Sequence, residues 1–288
     1  MIKKGIILAG GTGSRMSPLT KAVNKQLLPI YDKPLIFYPL SILMLAGIKD
    51  VLIIVNKSQL DQYKKIIPDG KKLGIKISYA EQEKPRGLPE AFIIGKNFIG
   101  KNGVALILGD NFFYGQSLTS ILKQAVKLKN GAKIILHRVV NPEKFGVAKV
   151  KNNKIVSIKE KPKKFLSDLA ITGLYFFDND VVKFANQLKP SKRNELEITD
   201  ILNKYKKKNK LYAQLIGRGG AWLDTGSIED FYKTTDFVSS IENRQGLKIA
   251  CIEEIAFNNG WINKKNIISS IKFYGKCDYS NYLKKIIS

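Results

Sequence analysis

Histidine and cysteine are nearly absent from this sequence. Its 288 residues include one histidine, His137, and two cysteines, Cys251 and Cys277. Two cysteines supply neither a disulfide framework nor the ligand spacing of a zinc site. One histidine supplies no Ser-His-Asp or Cys-His arrangement, and its strand-like context (LHRV) favours a structural role. Covalent catalysis built on these groups is therefore excluded.

Long apolar runs and arginines are also scarce. No apolar run approaches the roughly 18–20 residues that cross a bilayer, and the amino terminus lacks a signal-peptide pattern, so we expect a cytoplasmic protein without a membrane partner. The net charge is +25, but only six of the 49 basic residues are arginine, and the lysines are scattered. Because nucleic-acid recognition favours arginine forks, we expect no nucleic-acid partner beyond non-specific attraction.

The first predicted strand runs directly into a glycine-rich turn. Apolar residues at Ile6–Ala9 are followed by Gly10–Arg15 (GGTGSR). Its three glycines let the backbone approach a ligand closely and aim N–H groups at phosphate oxygens, while the arginine adds a permanent cation. The spacing fits neither a Walker loop nor a dinucleotide fingerprint. An unliganded turn is the alternative, but such turns seldom need three glycines.

An α/β fold is predicted because strand and helix patterns alternate through the first half of the chain. Such alternation favours a Rossmann-like, mostly parallel sheet flanked by helices. The predicted strands are 6–9, 51–55, 75–79, 104–108 and 132–136, and the predicted helices are 34–46, 59–67, 88–98 and 117–129. The large apolar side chains of the helix at 34–46 suit either a core helix or a contact with a neighbouring subunit.

The pattern changes in the second half of the chain. Predicted strands at 146–150, 154–158 and 173–177 are separated by short turns, which indicates a small antiparallel insertion. Helices are predicted at 197–208 and 228–242, followed by a helical tail at 253–287. We therefore expect a main domain at 1–250, in which the insertion at about 139–220 forms a substrate lobe, and a C-terminal helical extension at 251–288.

Two aspartates are candidate metal ligands. Asp110 follows the predicted strand 104–108, at the carboxyl end where open α/β sheets bind ligands. Asp224 lies at another strand end, before a turn glycine. Two carboxylates beside a polyphosphate are the hard oxygen ligands that Mg²⁺ prefers. The alternative is that each aspartate only caps a turn.

These segments carry a family resemblance. Leu8–Thr20 (LAGGTGSRMSPLT) and Lys25–Ile30 (KQLLPI) resemble the signature of the sugar-1-phosphate nucleotidylyltransferases. Four later segments follow in that family's order and spacing: Leu108–Asn111, Glu160–Pro162, Glu195–Asp200 and Trp222–Gly226. Together they narrow the resemblance to the members that transfer a thymidylyl group to glucose 1-phosphate, and the match covers the chain from about residue 2 to its end.

The resemblance implies a reaction and its partners. It implies dTTP and glucose 1-phosphate as substrates, dTDP-glucose and pyrophosphate as products, and Mg²⁺ as cofactor. It also implies the first step of dTDP-L-rhamnose biosynthesis, in a homotetramer subject to feedback by dTDP-L-rhamnose. Two alternatives stay open, namely a UTP-using or related sugar nucleotidylyltransferase and a non-catalytic nucleotide-sugar sensor.

The resemblance also implies roles for individual residues. The catalytic cations are Arg15, Lys25 and Lys161. The nucleotide-binding residues are Leu8, Gly10, Gly11, Thr12, Gly13, Arg15, Gln82 and Gly87. The sugar-phosphate-binding residues are Asn111, Gly146, Glu160, Lys161, Tyr175 and Arg193, and the metal ligands are Asp110 and Asp224. The regulatory residues are Leu45, Tyr114, Gly115, Cys251, Glu254 and Ile255.

Two positions depart from the family's pattern. Phe145 stands where relatives commonly carry tyrosine, so a hydroxyl that could contact the sugar or the nucleotide is missing. Asn258 stands near the regulatory residues where related proteins often place arginine, which weakens the expectation of feedback control. Neither departure affects the reaction, which needs no protein nucleophile because a sugar phosphate supplies an ionised oxygen.

Overall fold

The computed structural model describes residues 1–11 and 13–288. The strands are β1 (Lys4–Ala9), β2 (Pro29–Ile30), β3 (Lys33–Pro34), β4 (Asp50–Asn56), β5 (Lys76–Gln82), β6 (Val104–Leu108), β7 (Asn111–Gly115), β8 (Ala132–Arg138), β9 (Gly146–Lys151), β10 (Lys154–Glu160), β11 (Leu169–Phe177), β12 (Leu211–Leu215) and β13 (Gly220–Asp224). The helices are α1 (Phe37–Leu45), α2 (Leu60–Ile66), α3 (Glu90–Ile94), α4 (Lys96–Ile99), α5 (Leu118–Ala125), α6 (Asp180–Asn186), α7 (Ile198–Lys207), α8 (Ile228–Gln245), α9 (Ile252–Asn258), α10 (Lys264–Tyr274) and α11 (Asp278–Ile287).

A nine-stranded sheet forms the centre of the molecule. Its main path is β10-β9-β11-β6-β1-β4-β5, and β8 and β12 continue from β11. Strands β5, β4, β1 and β6 are parallel neighbours, whereas β11 runs antiparallel to both β6 and β8. Seven strands therefore point one way, namely β1, β4, β5, β6, β8, β9 and β12, and their carboxyl ends share one edge, whereas β10 and β11 run in the opposite direction. The predicted α/β fold class is confirmed.

Both faces of this sheet are covered by apolar side chains. Along β1, Ile6 packs with Leu52 on one face, while Ile7 packs with Ile53 on the other. Alternate side chains of a strand point to opposite faces, so a strand buried on both faces needs an unbroken apolar run. This explains the run at Val51–Val55, which is wholly buried.

Helix α1 is buried by its own chain. Residues Phe37–Met44 are all buried, and α5, α9 and β7 pack around them. Packing within the core of the same chain is therefore enough to explain the apolar side chains of this helix, without a contact with a neighbouring subunit. The helix begins at Phe37 and not at position 34, because Lys33–Pro34 forms β3. Gly47, with a φ of +84°, follows the end of the helix.

Several predicted elements differ in extent. The predicted helix 88–98 is divided into α3 and α4 at Gly95, whose missing side chain allows close approach to the carbonyl oxygen of Ala91. The strands β9, β10 and β11 join the main sheet and do not form a separate sheet. Strands β7 and β12 and helix α6 are short elements that the sequence patterns did not predict. The helical tail consists of α9, α10 and α11.

In the part of the chain that the structure describes, no helix is both long enough and apolar enough to cross a bilayer.

A buried ion-pair cluster joins the β2–β3 hairpin to α8. The Lys33 side chain is 2% exposed and lies 2.9 Å from a Glu242 carboxylate that is 4% exposed. Lys33 also contacts Asp32, and Lys248 contacts both Asp32 and Glu242. The backbone N–H of Ile249 donates to Glu242 at 2.8 Å. Each buried charge therefore has an oppositely charged partner.

We predict that Lys33→Met lowers the free energy of unfolding by about 3 kcal/mol, because it leaves two buried carboxylates, Asp32 and Glu242, with Lys248 as their one remaining cationic partner in this cluster. Denaturant unfolding followed by circular dichroism measures this. The control is Lys233→Met, which removes an exposed partner of Glu229 on α8 and should leave the stability almost unchanged. Equal effects of the two substitutions would contradict a special role for the buried cluster.

Candidate functional site

The glycine-rich turn after β1 opens one end of a cavity. Leu8, Gly11 and Gly13 line this cavity. Gly13 has a φ of +61°, and its carbonyl oxygen accepts a hydrogen bond from the Thr20 hydroxyl at 2.8 Å. The turn therefore uses a backbone conformation that suits glycine. Thr12, which the resemblance assigned to nucleotide binding, lies outside the described residues.

Two carboxylates face each other in the floor of the cavity. Asp110 follows β6 directly, and Asp224 ends β13, where it pairs in register with Asn111 of β7. The hydroxyl and the N–H of Thr225 both donate to the Asp110 carbonyl oxygen, at 2.8 and 3.1 Å. The pairing of β7 with β13 therefore brings together two aspartates that are 114 positions apart in the chain.

Lys25 compensates part of this negative charge. Its buried ammonium donates to Asp110 Oδ2 at 2.8 Å. Burial raises the pKa of Asp110, but Lys25 and the Asn111 amide more than offset burial, so this pKa lies below its usual range. Burial and the nearby Asp110 charge raise the pKa of Asp224. The charged form is therefore favoured at Asp110 and disfavoured at Asp224.

Asn111 holds the floor of the cavity in place. Its Oδ1 accepts from the Trp222 indole N–H at 2.6 Å and from the Gly173 N–H at 3.0 Å, and its Nδ2 donates to Asp110 at 3.1 Å. A side chain at Gly173 would collide with the Asn111 amide. Asn111 was predicted to bind sugar, and its amide is already largely engaged in fixing Asp110 and Trp222.

Arg15 lies beside the second carboxylate. Its guanidinium approaches Gly226, where a Cβ would lie 3.2 Å from the guanidinium nitrogen and equally close to Asp224. The positive charge of Arg15 lowers the pKa of Asp224 and so opposes the effect of burial. Arg15 and Lys25 therefore flank the two carboxylates from the phosphate-loop side.

Two further cations lie at the opposite wall of the cavity. Lys161 follows β10 with a φ of +40°, and its backbone N–H donates to the Phe145 carbonyl at 3.0 Å. Arg193 donates to Glu197 at 2.7 and 3.2 Å and lies 3.6 Å from Glu160. A lysine in a left-handed conformation is strained, and such strain is common in ligand sites.

The pKa values of Glu160 and Glu197, the two carboxylates beside Arg193, are shifted in opposite directions. Burial raises the pKa of Glu160 although Arg193 opposes that effect. In contrast, the pKa of Glu197 is lowered, because Arg193 and the Ser191 hydroxyl together outweigh burial. Burial also raises the pKa of the Tyr175 hydroxyl, so that it remains a neutral hydrogen-bonding group. Gly146 pairs with Glu160 across β9 and β10, and a side chain there would crowd the carboxylate.

The loop that follows β5 and the loop that precedes α7 touch through their backbones. The Leu196 N–H donates to the Arg86 carbonyl at 2.7 Å. Gly87 has a φ of +107°, and a Cβ there would lie 2.2 Å from the Leu196 oxygen. Only glycine fits at this contact, so Gly87 is required by packing as well as by its predicted role in binding.

The structure brings most of the predicted site residues into one cavity of about 500 Å³. Its lining includes the following predicted residues: Leu8, Gly11, Gly13, Arg15, Lys25, Gln82, Gly87, Asp110, Asn111, Gly146, Glu160, Lys161, Tyr175, Arg193 and Asp224. Gly10 is not part of the lining and instead packs against the Gln82 amide, where a Cβ would lie 2.1 Å from the oxygen.

Sequence reasoning missed several lining residues. Gln26 is buried, and its Oε1 has no hydrogen-bond partner in the described structure. Trp222 was seen only as part of a motif, although its ring packs against Phe145 at 5.1 Å and its N–H fixes Asn111. Phe145, which stands where relatives commonly carry tyrosine, therefore places an apolar ring in the wall of the cavity. The orphan oxygen of Gln26 is a signal that only the folded structure provides.

The carboxylate pair fits a divalent cation. Among residues 1–11 and 13–288, no three His, Cys, Asp or Glu side chains cluster as an all-protein metal cage. Mg²⁺ is usually held by one or two carboxylates with phosphates and waters, so a pair is sufficient. Asp110 and Asp224 line the same cavity and so supply the two carboxylates that such an ion requires.

Comparisons with known proteins agree with this geometry. The family model for nucleotidyl transferases matches residues 4–241. The chain belongs to the nucleotidyl transferase family. A glucose-1-phosphate thymidylyltransferase of Neisseria meningitidis serogroup A is 51% identical over 285 residues, covering 99% of each chain. The Mycobacterium tuberculosis glucose-1-phosphate thymidylyltransferase is 44% identical, again over 99% of each chain. The family resemblance predicted from the sequence is confirmed, and the protein is an enzyme.

Solved structures extend the comparison of this nucleotidyl transferase. A Bacillus anthracis protein described as a candidate glucose-1-phosphate thymidylyltransferase, in complex with sucrose, matches with a TM-score of 0.76 and 38% identity. That match covers 81% of this chain and 94% of the other. A UDP-glucose pyrophosphorylase complexed with UDP-glucose matches with a TM-score of 0.73 and 28% identity, over 84% and 100% of the two chains.

The predicted regulatory residues of this nucleotidyl transferase lie on elements that pack together. Leu45 ends α1, which contacts both β7 and α9. Tyr114 and Gly115 lie on β7, and Cys251, Glu254 and Ile255 lie at or in α9. Of these, Cys251 is buried, and Glu254 accepts from the Tyr282 hydroxyl at 2.7 Å. Their regulatory role stays a prediction.

Proposed function

We propose that this enzyme transfers a thymidylyl group from dTTP to α-D-glucose 1-phosphate, giving dTDP-glucose and pyrophosphate with Mg²⁺ as cofactor. One observation carries the proposal. A pair of carboxylates, Asp110 and Asp224, shares one cavity with two sets of cations. Arg15 and Lys25 lie beside the two aspartates, and Lys161 and Arg193 line the cavity near Glu160 and Glu197. Two phosphorylated substrates that react with each other need this arrangement.

The reaction is a direct in-line displacement. An oxygen of the sugar 1-phosphate forms a bond to the α-phosphorus of dTTP. The bond from that phosphorus to the oxygen bridging to the β-phosphate breaks, and this oxygen leaves with pyrophosphate. The attacking oxygen is already ionised at neutral pH, so the chain supplies positioning and charge and needs no general base.

Each cation has a task in this displacement. Lys161 and Arg193 hold the sugar 1-phosphate and reduce the repulsion between two anions. Arg15 and the phosphate-loop N–H groups hold the triphosphate. Lys25, which contacts Asp110, reaches the α-phosphate and the departing pyrophosphate. Glu197 keeps the Arg193 guanidinium in place through two hydrogen bonds.

Asp110 and Asp224 would hold Mg²⁺ together with oxygens of the triphosphate. A bound Mg²⁺ neutralises phosphate charge and polarises the α-phosphate. The carboxylate pair is compensated in the described structure chiefly by Lys25 and Arg15. Asn111 and Thr225 fix the Asp110 carboxylate and backbone, so the oxygen ligands are already oriented.

We predict that dTTP with glucose 1-phosphate is the best substrate pair. A UTP-using enzyme is the second candidate, because one solved relative is a UDP-glucose pyrophosphorylase, and a missing methyl group changes binding by only about 1–3 kcal/mol. Pyrophosphate release, measured with each nucleoside triphosphate and each sugar phosphate, tests this. Faster turnover with ATP or GTP than with dTTP would overturn the proposal, and nucleotide binding without turnover would favour a sensor.

We predict that Asp110→Asn and Asp224→Asn each lower kcat about 100-fold or more, because each removes a metal-ligand charge while keeping the side-chain shape. Lys161→Ala should instead raise KM for glucose 1-phosphate about tenfold or more. Lys163→Ala is the matched control, an exposed lysine outside the cavity. Near-normal turnover of both aspartate variants at saturating Mg²⁺ would remove this pair from the mechanism.

We further propose that the enzyme is a cytoplasmic homotetramer that performs the first step of dTDP-L-rhamnose biosynthesis. The predicted domains, 1–250 and 251–288, meet at the predicted regulatory elements. Feedback by dTDP-L-rhamnose would act there, although Asn258 provides no arginine fork for a pyrophosphate. The support for the tetramer and the pathway is the family resemblance, and the packing of α1 against β7 and α9 supports only the grouping of the predicted regulatory residues.

We predict a particle of four times the chain mass of 32.3 kDa in light scattering. We also predict that dTDP-L-rhamnose lowers the rate in a manner that is not purely competitive with dTTP. A monomer mass would contradict the tetramer. Purely competitive inhibition, lost together with active-site binding in an Arg15→Ala variant, would contradict a separate regulatory site.

A further inference from the structure

A buried carboxylate organises the base-side loop that follows β5. Glu90, the first residue of α3, is 4% exposed. Its Oε2 accepts from the Gln82 side-chain amide at 2.6 Å and from the Arg86 backbone N–H at 3.0 Å. Its Oε1 accepts from the Arg86 guanidinium at 2.7 Å. All three partners are donors, and all belong to the loop from Gln82 to Leu88.

These contacts fix which way the Gln82 amide faces. A carboxylate only accepts hydrogen bonds, whereas a side-chain amide has one accepting and one donating end. Turning the amide over would place the Gln82 oxygen against a Glu90 oxygen, where two acceptors repel each other. The NH₂ group therefore faces Glu90. The oxygen faces Gly10, where a Cβ would lie 2.1 Å from it.

Gly10 also helps to fix the Gln82 amide. The missing side chain leaves the space that the Gln82 oxygen occupies, so the phosphate loop and the base-reading amide interlock. Gln82 ends β5, a parallel strand whose carboxyl end faces the cavity, and it lines that cavity although only 3% of it is exposed. Both the position of the amide and its orientation are therefore fixed before a ligand arrives.

We propose that Glu90 is a positioning residue that selects the base of the nucleotide: by binding the Gln82 NH₂ group, it keeps the carbonyl oxygen on the Gly10 side of the amide, where the oxygen is the acceptor available to the base. This rests on the proposed function, in which Gln82 reads the base. A fixed acceptor favours pyrimidines with a ring N–H between two carbonyl groups, as in thymine and uracil. Cytosine carries a lone pair at that ring position, so two acceptors would face each other, and a buried unpaired polar group is costly.

The variant Glu90→Gln tests this orientation directly. An amide at position 90 can donate as well as accept, so Gln82 gains the freedom to turn over. We expect the preference for dTTP over dCTP, measured as the ratio of kcat/KM values with glucose 1-phosphate, to fall about tenfold. The loss should arise mainly from better use of dCTP, while kcat at saturating dTTP changes only a few-fold.

The matched control is Arg86→Ala. It removes the guanidinium, which is 66% exposed, but keeps the backbone N–H and the bond between Glu90 and Gln82. We expect this variant to retain the full preference for dTTP over dCTP. A fall in the ratio as large as that of Glu90→Gln would mean that loop order, and not amide orientation, sets the preference, and it would overturn the proposal.

Nucleotide binding without sugar phosphate separates the two proposals. Isothermal titration calorimetry with dTTP and dCTP measures base selection whether or not turnover occurs. If dTTP binds in preference to dCTP and Glu90→Gln removes that preference, the inference holds even for a protein that fails to release pyrophosphate. If Glu90→Gln weakens both nucleotides equally, with an unchanged melting temperature, Glu90 does not select the base.

Discussion

Two like charges buried side by side are the constraint on which the site depends. Asp110 and Asp224 each raise the free energy of the folded chain unless cations and donors surround them. The chain meets this requirement from distant segments: Lys25 from the loop after the phosphate turn, Arg15 from the turn itself, and Asn111 and Thr225 from the paired strands β7 and β13. In the proposed reaction, a divalent cation and the phosphates of the nucleotide would complete the site.

The central sheet holds these charged side chains close to one another. Seven strands point the same way, so the glycine-rich turn, Gln82 and Asp110 emerge at one edge. The reversed strand β11 carries Gly173 and Tyr175 to the same cavity from the opposite direction. Apolar layers on both faces hold the edge rigid, and a rigid edge keeps charged side chains at fixed separations without further reorganisation.

Local patterns predicted the parts of the site that depend on chain neighbours. The glycine turn after an apolar strand and the placement of Asp110 at a strand end both follow from short-range rules. Trp222, Gln26 and Glu90 could not be found in this way, because their roles depend on partners far along the chain or on the orientation of one amide. Likewise, β7 exists because β13 pairs with it, and the helix predicted at 88–98 is divided where Gly95 packs closely against Ala91.

The backbone contact between Leu196 and the Arg86–Gly87 peptide has a consequence for how this enzyme can diverge. The loop proposed to read the base and the loop proposed to hold the sugar phosphate meet here, with no room for a side chain at Gly87. A change that widens the base pocket by shifting one loop therefore moves Arg193 and Glu197 on the other. Evolution or engineering toward a new nucleotide must then readjust the recognition of the sugar, so the two specificities are inherited together.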